Sequence, residues 1–267
     1  MNEHLDQEVL GQSFEVAQYL LAVPFVLFLY LYLLAVVLSN RHKKKWPYYR
    51  TVFWVIGILL ALVSVIGPVA DKGHTDFRFH MLGHLFLGML APFLMALGAS
   101  MTLFLRSLPV RAARKVTKLL HCKFFGFYQD PFVATVLNIG GLWLLYTTDL
   151  YELMHQHAWI YFVVHLHIFV AGYLFTISLI YIDPTSHRKG YLYRTIIFVM
   201  ALAGHKILSK YIYANPPFGV SKEAAEAGGM LMYYGGDAIE VCLITLLFFH
   251  WYKATKPKTN YLQAETT

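Results

Sequence analysis

Histidine recurs at His80 and His84, at His155, His157, His165 and His167, and again at His205, in or beside apolar stretches of the chain. Two carboxylates, Asp237 and Glu240, lie inside another such stretch. An ionisable group in hydrocarbon is costly, so a cluster of this kind marks a functional site by default. Imidazole with carboxylate suits copper(II) or zinc, and the thioethers of Met81, Met89, Met230 and Met232 would add a preference for copper(I). The bland reading of each methionine is packing, since a flexible thioether fills irregular core gaps.

Spacing limits which of these groups can meet. His80 and His84 stand at i, i+4, which stacks both rings on one helical face about 6 Å apart along the axis. The competing reading is that His80 anchors an interface and His84 bonds a neighbouring helix. His157, Tyr161 and His165 fall at i, i+4, i+8 and form a stripe about 12 Å long. His165 and His167 are roughly 200° apart around a helix, so they cannot share a site; His155 reads as a loop residue. Met230, Tyr233, Asp237 and Glu240 recur at i, i+3, i+7, i+10 as one polar stripe. The candidate ligand set is therefore His80, His84, His157, His165, His205 and Asp237. Lys206 must be neutralised by Asp237 or Glu240, and Glu240 with Lys206 reads as an ion pair that fixes packing.

The elements that carry these groups follow from composition. The 267 residues are 58% hydrophobic and 16% aromatic, with a mean hydropathy of +0.51, far from the usage of a soluble domain. Seven apolar runs, at about 16–38, 50–70, 79–105, 131–147, 157–182, 192–212 and 229–252, are near or above the ~20 residues that a spanning helix needs. The fourth is the shortest. The runs are continuous rather than alternating, which excludes a barrel and predicts one all-α bundle of seven transmembrane helices in a single domain. Pro92 lacks an amide donor for the Gly88 carbonyl and predicts a kink in the third span.

Basic residues set the expected orientation. Arg41, Lys43, Lys44, Lys45 and Arg50 follow the first span, and Arg106, Arg111, Arg114, Lys115, Lys118 and Lys123 follow the third. Arg188, Lys189, Arg194, Lys253, Lys256 and Lys258 fall on that same side; Glu3, Asp6, Glu8, Glu15, Asp149, Glu152, Glu223 and Glu226 fall on the other. Short cytoplasmic loops retain Lys and Arg, so the N-terminus is expected outside and the C-terminus inside, with the histidines in the outer half. The net charge of +7 is then a topology signal and not a nucleic-acid footprint. The acidic N-terminus lacks the basic region of a removable signal peptide. Residues 109–123 predict a basic amphipathic helix on the inner leaflet, and Lys222–Glu226 a short surface helix or lid. Cys122 and Cys242 fall where a mutual disulfide is not expected, and no Cys-based copper motif is present. No nucleophile, phosphate loop or acid–base dyad points to an enzyme.

Several of these segments resemble a known family. His80-Met-Leu-Gly-His84-Leu-Phe-Leu-Gly-Met-Leu-Ala-Pro92-Phe-Leu-Met-Ala-Leu-Gly98, then Leu108-Pro109-Val-Arg111, then Leu150-Tyr151-Glu-Leu-Met-His-Gln-His157 with His165, and finally Gly228-Gly229-Met-Leu-Met232 are similar, in that order, to the CtaG-type cytochrome c oxidase assembly factors of bacteria. The resemblance implies a multi-pass protein of the bacterial plasma membrane that works with a cytochrome c oxidase subunit and handles a copper ion for the oxidase. His80, His84, His157 and His165 are the positions it matches. Two other readings remain open: a haem b electron carrier with histidines of two spans as axial ligands, and a metal-free scaffold whose polar groups only bond helices together.

Overall fold

The computed structural model describes residues 2–185 and 187–257, with the side chains of residues 2–10 and of His42 excluded. Glu3, Asp6, Glu8 and Lys258, which entered the orientation argument, therefore lie outside the described side chains. Every element among the described residues is helical. Helix α1 spans Asn2–His42 and α2 spans Tyr48–Val65, followed by the short α3 (Pro68–Gly73). The third span is composite: α4 (Phe77–Leu85), a π-helical turn (Phe86–Leu90) and α5 (Ala91–Leu97). Helix α6 (Ser100–Ser107), α7 (Val110–Leu120) and α8 (Lys123–Tyr128) connect it to a second composite span. That one runs through α9 (Pro131–Thr135), a π turn (Val136–Gly140) and α10 (Gly141–Thr147), and then bends by 78° into α11 (Leu150–Gln156). Helices α12 (Ala158–Leu179), α13 (Tyr191–Ala214) and α14 (Lys222–Thr255) complete the bundle.

Among the described residues, six helices are long and apolar enough to cross a membrane, and the bent pair makes up to seven. The fourth stretch, expected as one short span, is thus a broken one. Immediately before Pro92, where the sequence predicts a kink, the span has a π turn in which the Ala91 amide reaches back to the Phe86 carbonyl. A one-residue bulge re-satisfies the backbone that proline disrupts. The third span also ends earlier than the apolar run suggests. Ala99 adopts a left-handed conformation (φ 50°), Tyr32 Oη donates to the Gly98 carbonyl at 2.8 Å, and Asp183 accepts from the Met101 and Thr102 amides to start α6. Lys222–Glu226, expected as a separate surface helix or lid, is instead the first turn of α14, capped by Ser221.

Spans three and five cross at glycine. A Cβ on Gly172 would overlap the Gly88 carbonyl oxygen, so the two backbones touch there, and only glycine allows that approach. The two ends of the bundle differ in chemistry. At one, Arg106 donates to the Lys44 carbonyl at 2.7 Å and Lys189 pairs with Asp130 at 2.7 Å, which gathers the basic loops together. The other end brings α3, the start of α4, α11 and the start of α14 around an open vestibule. That second end carries His74 and His155, with His80 and His165 beneath them.

Candidate functional site

The buried histidines form two stations joined by a tyrosine. At the upper station, nearest the vestibule, His80 lies 6.5 Å from His165 and 6.2 Å from His155, ring centre to ring centre. His74 is 6.1 Å from His155 and stacks on Tyr161. Backbone carbonyls fix two of these rings: His155 Nδ1 donates to Tyr151 O at 2.8 Å, and His165 Nδ1 donates to Tyr161 O at 2.9 Å. A neutral imidazole whose Nδ1 carries the proton keeps its lone pair on Nε2, the state a metal ligand requires. These residues line a cavity of about 20 Å³ with Ser64 and Tyr161. His74 and His155 also line the vestibule, about 610 Å³, with Asp76, Tyr151 and Phe218. His74 sits outside the spans; burial first, and His155 second, hold it less basic than an ordinary histidine, with Asp71 opposing.

Tyr146 links the levels. Its hydroxyl is 3.0 Å from His80 Nε2 and reaches Met81 Sδ at 3.8 Å, while its ring centre is 6.5 Å from that of His84. One turn deeper, His84 faces His205 at 6.5 Å. His205 Nδ1 comes within 3.1 Å of Glu240 Oε1, yet it is not aligned to make a hydrogen bond. Both nitrogens of His84, both of His205 and Oε2 of Glu240 are buried without a hydrogen-bond partner among the described residues. His84 is 5% exposed and His205 2%. Leaving one such group unsatisfied costs about 1–3 kcal/mol, so five in one place require a ligand, a water or a function. The cavity between them, again about 20 Å³, is lined by Gly88, Met89, Asn138 and Thr176 as well. It has room for one water-sized particle. Glycine makes that room: a Cβ on Gly236 would lie 2.5 Å from His205 Cε1.

Of the expected ligand set, the structure brings together His80 and His165 at the upper station and His84 and His205 at the lower. It leaves out two. His157 is exposed and has an extended backbone (φ −131°, ψ 114°) that precedes α12, so the helical stripe with Tyr161 and His165 does not include it. Asp237 is bound to Lys206 at 2.5 Å, both side chains about a third exposed. The roles of the two carboxylates are therefore exchanged: Asp237 makes the ion pair and Glu240 joins the histidines. His155, expected as a loop residue, enters the site because α11 folds back, and His74 and Tyr146 enter it unannounced. His167 Nε2 donates to Leu137 O at 3.0 Å, inside the second π turn, and has a structural partner. Met81 and Met89 adjoin the stations, whereas Met230 faces outward. Among the described residues, no group of three or more His, Cys, Asp or Glu is arranged to enclose a metal ion; the grouping is pairwise.

The pairs His80–His155, His80–His165 and His84–His205 stand 6.2–6.5 Å apart, ring centre to ring centre, the ordinary spacing of packed rings.

The family model described as cytochrome c oxidase caa3 assembly factor (Caa3_CtaG) matches residues 30–254. Among curated proteins, an uncharacterized protein of Mycobacterium bovis is 32% identical over 159 residues, covering 57% of this chain and 24% of that protein. An uncharacterized protein of Mycobacterium leprae is 28% identical over 241 residues, covering 82% of this chain and 37% of that protein. The chain thus spans well under half the length of these relatives. No solved structure matches it.

Proposed function

Because the chain belongs to the cytochrome c oxidase caa3 assembly factor family, we propose that it is a non-enzymatic copper carrier of the bacterial plasma membrane, serving the metal centres of a haem-copper oxidase. Its N-terminus and the vestibule face outward and its basic loops face the cytoplasm, as the distribution of Lys and Arg supports. The observation that carries the reading is the set of five orphaned polar atoms on His84, His205 and Glu240. An ion held by His84 and His205 would satisfy the two rings, and Glu240 would balance its charge in a site that excludes water.

The residues above that station act as a graded approach. His74 and His155 border the vestibule, exchange ligands at its floor, and lead to His80 and His165. Tyr146 turns the path from His80 toward His84. Met81 and Met89 offer soft thioether contacts, which supports copper(I) as the cargo. Pairwise rather than enclosing coordination supports release, since a two-ligand ion exchanges readily with a better donor set on the acceptor. A cavity of about 20 Å³ also suits a bare ion better than a macrocycle, which favours copper over haem b.

The test is metal analysis and an absorbance spectrum on detergent-purified protein, wild type beside the His84→Ala, His205→Ala double variant, with oxidase assembly scored in cells. Stoichiometric copper lost in the variant, together with reduced oxidase, is the expected result. A Soret band would move the assignment to a haem carrier. Full oxidase assembly by the double variant would leave a scaffold as the function.

A further inference from the structure

At the opposite end of the bundle, a second pocket is built for an anion. Its volume is about 440 Å³, and its lining includes Tyr181, Arg188, Gly190, Arg194, His250 and Lys253. Arg194 is 2% exposed. Its guanidinium is sandwiched between the rings of Tyr181 and Tyr191, 4.2 and 4.3 Å from their centres, and Nη1 donates to the Leu179 carbonyl at 2.6 Å. Nε is buried and has no hydrogen-bond partner among the described residues. Among the described residues no carboxylate pairs with this guanidinium; the nearby Lys189 is already neutralised by Asp130. A buried, fixed and unpaired guanidinium lacks the counter-charge that burial requires.

Three further features point the same way. Arg194 lies in the first turn of the 24-residue α13, whose N-terminus has neither a capping side chain nor an acidic residue in that turn. The helix therefore presents free amides and the positive end of its dipole. Gly190, just before it, faces open space. Arg188 and Lys253 are exposed on the rim, so two exposed cations accompany one buried cation.

We propose that this pocket binds a phosphate group, with Arg194 and the α13 N-terminus as its floor and Arg188 and Lys253 as its clasp. Guanidinium and helix amides together match the oxygens of a phosphate better than those of a spherical anion. The same chemistry is offered by the headgroup of an anionic phospholipid and by free phosphate. The floor lies in the first turn of a candidate span, and basic pockets between helices near the end of a span take anionic lipid. The site is separate from the histidine stations and stands or falls without them.

The experiment uses the full chain, delipidated in detergent, with native mass spectrometry against added phosphatidylglycerol or phosphatidylcholine and melting curves with and without inorganic phosphate. Arg194→Gln removes the floor, and the double variant Arg188→Gln, Lys253→Gln removes only exposed charge, so it reports even where the buried variant fails to fold. Wild type is expected to retain phosphatidylglycerol over phosphatidylcholine by about tenfold, a gap of about 1.4 kcal/mol, and the rim variant to lose that preference. If inorganic phosphate raises the wild-type melting temperature and displaces the lipid, the phosphate site stands and its source is the solution. Equal retention of both lipids by wild type and variants, with no response to phosphate, would overturn the proposal.

Discussion

The two histidine stations are built from the same side chain and differ in what the protein gives it. At the upper one, His80, His155 and His165 each have a hydrogen bond, to Tyr146 Oη or to a backbone carbonyl. At the lower one, His84 and His205 have none among the described residues. A bonded imidazole has its tautomer and rotamer set by the protein, whereas one without a protein partner is left to bond whatever occupies the cavity beside it. The contrast separates the roles. Under the proposed copper function the upper rings are held ready as guides, and the lower rings keep both nitrogens for the cargo.

The largest expected effect falls on the lower pair. His84→Ala with His205→Ala should reduce copper affinity by more than the roughly 10–100-fold that loss of a merely supporting residue costs, whereas His80→Ala with His155→Ala should slow loading and leave equilibrium retention nearly intact; copper titrations and stopped-flow uptake separate these. Equal affinity losses would erase the distinction between the stations. Next comes Gly172→Ala, whose methyl overlaps the Gly88 carbonyl oxygen. Forcing α12 away from the third span should destabilise by about 1–3 kcal/mol and loosen both stations, since His165 lies on α12 and Gly88 and Thr176 line the lower cavity; melting curves and copper titrations read the two effects. Tyr146→Phe is smaller still. It removes the hydroxyl beside His80 Nε2, costs about 1 kcal/mol in melting experiments, and should make His80 behave like the lower ring, with tighter retention at the upper station.

The smallest effect is one of pH. His74 is held below its ordinary pKa in the fold, while the unfolded chain takes up that proton near the usual value of about 6.5. Its contribution to stability is therefore complete above that pH and declines as the pH falls through and below it. Melting temperature measured from pH 7.5 down to 5 should show the decline, and His74→Gln should flatten it. A decline of the same size in that variant would assign the effect elsewhere.

Much of the framework was legible in the sequence because apolar length and helical spacing are local properties. The spans, the shared face of His80 and His84 and the disruption at Pro92 needed only the chain itself. What escaped depends on how helices rotate and fold back. Asp237 and Glu240 lie about 60° apart on α14, and only the packing of α13 decides which meets Lys206 and which meets His205. His157 lost its place because the helix begins one residue after it. His155 gained one through a 78° bend that hydropathy does not encode. His74 lies outside the apolar runs, where no helical spacing ties it to the other histidines, and Tyr146 carries no charge to draw attention to it.

The π-helical turn at Phe86–Leu90 has a consequence for how this chain tolerates length changes. It stores one residue more than an α-helix would hold over the same rise. Deleting one residue there would close the turn into ordinary α-helix with its two flanks in nearly the same phase, so His80 and His84 would go on facing Tyr146 and His205, at the cost of the relief the bulge gives the backbone before Pro92. The same deletion in plain α-helix, between His84 and the turn's start or beyond Pro92, would rotate one flank against the other by about 100°. The five positions of the turn are therefore a length buffer, which spares the histidine face a change that neighbouring positions would pass on to it.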